Sequence, residues 1–461
     1  MTGTKTEHTK LTLGSFASFS AAMLAIDSIS VGYGVVDMIF VSAFGAVMVA
    51  GIGIGDFLTA LYLAFFAGSV DVFASRLARR VGAGGGYTWL APLFRGFLLI
   101  VLPWTLVGLL LAAVTPALLE AVGSDSALIG IASGYVLVRM IGVPFTLVLA
   151  ASSAALRIFN RRGLSVMLVS IGFVLNIGAN ALFISSPLAS LFPTPVAAVA
   201  MATLLVQVVT GGAAIVILIH FVRRHGAREE PNSVEDAHGR GLARDMLKTS
   251  VGIGLRQLND YAASVVPFVL ISRLDIATVA AAAVATRIWT IYCRVPQACL
   301  TAAGVYIGYA RGVGLRSATA LTRVTTAYVA LPSIGAAVVF AITAPLLARL
   351  LGGEEVGISQ VWMLTLCFLV AVPAYVLENL AGEILTVEQQ GKWLSVSSSV
   401  ITYTITIPIA IVGVLVLQSA AIAILSAAIA SVLLAVVYLR RCRQLGYRIR
   451  VLSTEEVSDT P

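Results

Sequence analysis

Twelve runs of roughly 20 mostly apolar residues, each long enough to cross the hydrocarbon core of a bilayer, dictate what this chain folds into. They fall near residues 15–42, 46–68, 95–118, 128–150, 164–184, 196–220, 249–272, 277–303, 324–347, 360–385, 394–417 and 419–439. Inside hydrocarbon every backbone N–H and C=O must find its partner within the protein, which leaves helices or closed barrels. Runs of this length, in place of weakly alternating ten-residue segments, select helices. Composition agrees: AVILMFWYC account for 59% of the 461 residues and DEKR for 11%, against about 25% charged residues in a soluble protein. Most of the surface must therefore face lipid. The first run is too long for a cleavable signal and flows into a second, so it reads as a retained span. Cys293, Cys299, Cys367 and Cys442 show no metal-ligand spacing and read as reduced packing residues. His8, His220, His225 and His238 sit at or beyond the membrane edges and form no metal set.

The net charge of +8 is a topology signal. Of the 30 Lys and Arg, only Arg273 and Arg349 fall in loops on one side, and Arg139, Arg256, Arg287 and Arg294 fall within spans. The rest collect on the opposite side, including Arg76, Arg79, Arg80, Arg157, Arg161, Arg162, Arg440, Arg441 and Arg443. Positive charge marks the cytoplasmic face, which puts both termini inside and leaves no role for nucleic acid. "GAGGG" at 82–86 lacks the Gly-Lys-Ser/Thr of a phosphate loop and reads as a turn.

The longest polar loop follows the sixth span, and the two halves repeat. A shift of 230 residues lays "VDMIFVSAFGAVMVAG" (36–51) on "VPFVLISRLDIATVAA" (266–281). The same shift pairs Gly82 and Gly84 with Gly312 and Gly314, and "LSV" at 164–166 with "LSV" at 394–396. A parallel repeat of this kind is common in secondary transporters. The expected fold is an all-α polytopic membrane protein, with twelve transmembrane helices in two pseudo-symmetric six-helix lobes. The expected divisions are an N-terminal lobe over 1–220, an inter-lobe loop over 221–248, a C-terminal lobe over 249–440 and a tail over 441–461.

Polar residues inside these spans carry the functional signal, because a charge at bilayer depth costs at least about 2.5–3.5 kcal/mol on insertion scales. In "GIGLRQLNDYAASVVPFVLISRLD" (252–275), Arg256 and Asp260 are four apart and share a helix face with Asn259 beside them. They either neutralise each other or line a cavity. Asp27, Asp37, Asp56, Asp260, Glu378 and Glu383 are the carboxylates within spans. Asp37 lies seven residues beyond Ser30, almost on one face. Asn176 and Asn180 present two amide oxygens to one side. One carboxylate with several neutral oxygens suits a proton or Na+; the plainer reading is hydrogen bonding between helices. Asp56 has no partner that spacing can locate, and Arg139, near a helix end, reads as structural. Arg287 and Arg294, seven apart with Trp289 and Tyr292, form one stripe suited to a carboxylate or phosphate. Arg256, Asn259, Tyr261 and Tyr33 complete the candidate substrate set, with Tyr375 a further aromatic that would either stack on a ligand or pack in the core.

"VDMIFVSAFGAVMVAGIGIGD", "YVLVRMIGVPF" (135–145), "LRIFNRRGLSVMLVSIGFVLNIGANALFI" and "RLDIATVAAAAVATRI" together resemble the multidrug and toxic compound extrusion (MATE) family over about residues 40–450. The resemblance implies a twelve-helix secondary antiporter that exports a small organic compound in exchange for H+ or Na+, with no cofactor, as a monomer in a bacterial inner (cytoplasmic) membrane. It places the family's first-helix acid on Asp37, its fifth-helix polar pair on Asn176 and Asn180, its seventh-helix acid on Asp260 and its tenth-helix acid on Glu378. The family's early prolines in helices one and seven are missing. Arg256, Arg287 and Arg294 depart from its pattern, which points to an anionic or zwitterionic substrate. The alternatives are a lipid-linked precursor flippase of the same superfamily, which the twelve spans disfavour, and a polytopic enzyme, for which the short external loops supply no acid/base or nucleophile set.

Overall fold

The structure, a computed structural model, describes residues 13–80, 87, 89–159, 161–225, 239–313, 315–388 and 390–447. Gly82, Gly84 and Gly314 of the repeat, the loop residues 226–238 and the tail beyond 447 lie outside the described residues. So do the side chains of Asp27, Ser30, Arg256 and Asp260.

The described residues form helices α1 (Leu13–Ser42), α2 (Ala46–Arg80), α3 (Leu90–Val122), α4 (Ser126–Ile141), α5 (Val143–Ile158), α6 (Arg162–Ser185) and α7 (Pro195–His225) in the first half. The second half contributes α8 (Gly239–Ile271), α9 (Ile276–Val313), α10 (Leu315–Gly352), α11 (Ile358–Leu369), α12 (Val372–Val387), α13 (Gly391–Ile401), α14 (Ile407–Leu415) and α15 (Ala420–Gln444). Seven of them, and α13 with α14 taken as one stretch, are long and apolar enough to cross a membrane, and two bent pairs, α4 with α5 and α11 with α12, bring the number of spans from eight to ten. α1 and the polar-studded α8 complete the twelve spans in two lobes.

Three spans read from sequence as continuous are interrupted. The fourth bends by 50° between α4 and α5, and the tenth by 41° between α11 and α12. Pro144 and Pro373 stand at the second positions of α5 and α12, where a proline removes a hydrogen bond to the preceding turn and kinks the rod. A shift of 230 residues carries the first break onto the second within about a residue, so the repeat extends to the kinks. The eleventh span carries a π turn at Thr402–Thr406, centred on Thr404, whose carbonyl Pro408 cannot pair with.

α2 is the axis of the interface between lobes, lying along α8 and α9. Small residues allow this close approach, as expected where lipid gives helices no hydrophobic drive to associate. A Cβ on Gly254 would stand 2.2 Å from the Phe65 carbonyl oxygen, and one on Gly68 2.7 Å from the Gly254 nitrogen. Phe57 packs on Phe268 with ring centres 4.3 Å apart. At one end of the seam Arg76 pairs with Asp245 at 2.6 Å and Gln257 donates to Asp71 at 2.6 Å. At the end carrying the α1–α2 turn, Ser124 and Ser272 share a hydrogen bond of 2.6 Å, and the Ala46 N–H donates to Glu355 at 2.9 Å. α1 belongs to both lobes: its C-terminal half packs on α6 and α7, while Phe16 near its start packs on Tyr306 and Tyr328 of α9 and α10.

Gly254→Leu is expected to push α2 and α8 apart and destabilise the folded protein by about 1–3 kcal/mol, the usual cost of overpacking. Thermal unfolding of the detergent-solubilised protein measures it, with Gly178→Ala, where a Cβ would meet nothing within 4 Å, as the variant expected to leave the midpoint in place.

Candidate functional site

Near the C-terminal end of α1, Asp37 enters a wholly buried polar knot. Asn180 of α6 donates to its Oδ1 at 2.7 Å, and Thr203 of α7 donates to its Oδ2 at 2.9 Å. Asn176 donates to the Thr203 hydroxyl at 3.1 Å and accepts from Asn180 at 3.3 Å. Asp37, Asn176, Asn180 and Thr203 are each 1% exposed or less. The predicted helical spacing explains the pair on α6: residues four apart share one side, Asn180 reaching Asp37 of α1 and Asn176 reaching Thr203 of α7. The structure thus gathers the three residues expected to serve a coupling ion and adds Thr203. That residue left no trace in the sequence, since a threonine in an apolar helix ordinarily bonds back to its own helix. The Asn180 carbonyl oxygen is buried without a hydrogen-bond partner. Among the described residues no three His, Cys, Asp or Glu side chains come together. The donor set here is therefore one carboxylate with amide and hydroxyl oxygens, which matches a hard monovalent ion or a proton and not a transition metal.

Tyr33 sits one turn before Asp37. Its hydroxyl donates to the Val169 carbonyl at 3.3 Å, and its ring meets Phe173 edge-on at 6.0 Å. A Cβ on Gly172 would lie 2.2 Å from that hydroxyl. Tyr33, a candidate for the substrate set, thus closes the α1–α6 contact.

A second charged group lies across the lobe interface. Arg287 of α9 forms a very short ion pair with Asp56 of α2, their side chains 9% and 21% exposed. Arg287, expected beside Arg294 in the substrate set, is placed on Asp56, the partner that spacing did not locate. A pairing between residues more than 200 positions apart has no local signature. The Tyr135 hydroxyl donates to the other Asp56 oxygen at 3.4 Å. Arg139, one turn along α4, lies 5.7 Å from the centre of the Tyr135 ring, within electrostatic reach of both Asp37 and Asp56.

In the second lobe the expected stripe divides. Arg294 bonds back to the Thr290 carbonyl of its own helix at 3.3 Å and has no ion-pair partner among the described residues. Trp289 stacks on Phe368 and Tyr292, with Tyr375 against its edge at 5.4 Å. The Tyr375 hydroxyl accepts from Gln297 at 3.5 Å, so Tyr375 is part of this aromatic wall. Asn259 donates to Ser399 at 3.0 Å, and its carbonyl oxygen is buried without a partner. Tyr261 is 48% exposed and Glu378 is half-buried.

The described residues thus form a two-lobed helical bundle with a buried polar knot around Asp37 and an ion pair across the interface. The family model MatE matches residues 24–182 and again residues 253–412, once on each lobe, and the chain belongs to that family of transporters. No curated protein matches it in sequence. Among solved structures it is similar to one described as the inward-facing conformation of a multidrug resistance MATE family transporter of the MOP superfamily (17% identity, 91% of this chain and 98% of that one, TM-score 0.70). A MOP superfamily transporter from Pyrococcus furiosus Vc1, described as having a binding pocket of reverse polarity that suggests a different function, aligns at 18% identity over 94% of this chain and 95% of that one, TM-score 0.65. The MATE transporter ClbM in complex with Rb+ aligns at 18% identity over 93% and 94%, TM-score 0.61. At these identities the likeness concerns the fold.

Thr203→Val removes a donor from Asp37 and strands the Asn176 amide. A loss of about 1–3 kcal/mol, the cost of leaving buried polar groups unpaired, is expected in thermal unfolding. Thr203→Ser, which keeps the hydroxyl, should recover most of it.

Proposed function

We propose that the protein is a secondary antiporter that exports a small organic compound in exchange for H+ or Na+ by alternating access. It would act as a monomer in a bacterial inner membrane, with both termini in the cytoplasm. The observation that carries the reading is the buried Asp37 knot, with the spare carbonyl oxygen of Asn180 pointing to a further ligand or proton. Asp37, Asn176, Asn180 and Thr203 would hold the ion. Loading neutralises the carboxylate, and that change of charge is what a coupled cycle needs, because an ion can shift a conformational equilibrium only by its differential affinity for the two states. The Rb+ complex of ClbM, a similar structure, supports a monovalent ion in this fold.

In the second lobe Asp260 and Glu378 would form a separate polar site. The substrate would lie against Arg294, Asn259 and Tyr261, with the Trp289 and Tyr375 rings beside them and Arg256 on the same helix as Asn259. Arg287 is committed to Asp56, so Arg294 carries the argument for an acceptor group on the ligand. A purely cationic ligand within 4 Å of that guanidinium would meet repulsion of about 4 kcal/mol at an effective dielectric of 20. A carboxylate, phosphate or zwitterion would not.

Asp37→Asn, reconstituted in proteoliposomes, is expected to fold normally and to lose efflux driven by a proton or Na+ gradient. Gradient-driven efflux at the wild-type rate would remove Asp37 from the mechanism. Arg294→Gln should weaken export of anionic or zwitterionic compounds in a sensitive host at unchanged protein level. Strong protection against simple cations such as ethidium, undiminished by this substitution, would instead restore an ordinary cationic-drug pocket.

A further inference from the structure

The constant shift of 230 residues also pairs the turns at the end of the seam that carries the α1–α2 turn. It lays Gly123 on Gly353, both at positive φ (84° and 72°), and Ser42 on Ser272, Gly45 on Asp275 and Asp125 on Glu355. The α3–α4 turn of the first lobe meets the end of α8 through Ser124 and Ser272. In the same way the α10–α11 turn of the second lobe meets the end of α1. There a Cβ on Gly353 would lie 2.3 Å from the Ser42 carbonyl oxygen, so only glycine lets the turn nest this closely.

The matching acids serve different helices. Asp275 accepts from the Thr278 N–H at 3.0 Å and caps α9, its own helix. Asp125 does the same for α4, accepting from the Ala127 N–H at 2.8 Å. At the start of α2 the residue matching Asp275 is Gly45, which has no side chain to cap with. Glu355 takes that place from the opposite lobe, accepting from the Ala46 N–H at 2.9 Å. Gly45 leaves it room: at a φ of 99°, a Cβ there would lie 2.7 Å from Glu355 Oε2. The first N–H groups of a helix have no partner within it and carry the positive end of its dipole, so a carboxylate there makes a charge-assisted bond. This cap on α2 is made only while the lobes touch. We propose that Glu355 is a latch between the lobes, whose cap on α2 holds this end of the cleft, external on the proposed topology, shut and is given up when the cleft opens there. The proposal rests on the reading of the protein as an alternating-access transporter.

Ser272, just beyond α8 and 0% exposed, reports opening of this end without touching the latch. Ser250, also 0% exposed, lies against Gly68 nearer the other end of the seam. With Ser272→Cys protein in lipid nanodiscs, alkylation by a water-soluble maleimide is measured over the background of the four native cysteines. Its rate scales with the open fraction while the closed state dominates. Glu355→Ala should raise that rate about fivefold, the usual worth of a helix cap, and should not raise labelling of Ser250→Cys. Glu355→Gln, which keeps an acceptor oxygen but not the charge, should raise it less. Glu354→Ala, beside the latch in sequence, should leave it at the parental value. An unchanged rate in Glu355→Ala, an equal rise in Glu354→Ala, or an equal rise at Ser250→Cys, the sign of general loosening, would each overturn the latch. Labelling needs neither substrate nor gradient. An unchanged rate in Glu355→Ala beside gradient-driven efflux by the unmodified protein would therefore sink the latch and leave the antiporter reading standing.

Discussion

Hydrocarbon does not solvate charge, and most of what distinguishes this bundle follows from how it meets that constraint. A carboxylate placed at bilayer depth persists only where the protein supplies donors or a cation. Asp37 is given donors, from Asn180 and Thr203. Asp56 is given a cation, Arg287. The two solutions have different consequences. Donors from neutral side chains leave Asp37 able to accept a proton or ion without stranding an opposite charge. A guanidinium partner makes Asp56 a strut, because removing either member of a buried pair costs about 3–5 kcal/mol. One acid is suited to titrate and the other to hold.

Where these acids sit turns a matter of stability into one of mechanism. Asp37 is bonded to α6 and α7, wholly within the first lobe, while Asp56 bonds across to α9 of the second. The lobes otherwise meet through small residues on α2, α8 and α9 and through a few polar contacts at the ends of the seam. Small-residue interfaces have little to lose when helices rock by a few degrees, whereas a buried ion pair is either made or broken. The interface therefore combines close-packed small residues with an ion pair between Asp56 and Arg287. The paired kinks in the fourth and tenth spans place a bend at equivalent points of both lobes.

Much of this was legible in the sequence, for reasons tied to particular residues. Span positions follow from apolar run length, and the two lobes from one constant shift; both are properties of long stretches and survive local error. Asn176 and Asn180 could be assigned to one face because helical spacing is local. Asp37 could be joined to them through the family resemblance. Thr203 and the Asp56–Arg287 pair could not be read, because each depends on which distant helices become neighbours. The division of the arginine stripe was hidden for a related reason: Arg287 and Arg294 do share a helix, but one turns to the opposite lobe and the other bonds back to Thr290. The kinks at Pro144 and Pro373 were readable in principle, since both prolines stand inside apolar runs; run length alone hides them.

In the proposed cycle Asp37 is the carboxylate that takes the coupling ion, a proton or Na+. Difference infrared spectroscopy on the purified protein in lipid tests it without knowing the substrate. A step in Na+ concentration or pH should produce a carboxyl-region difference band in the wild-type protein that is missing from Asp37→Asn. The same band at the same intensity in both proteins would contradict the account.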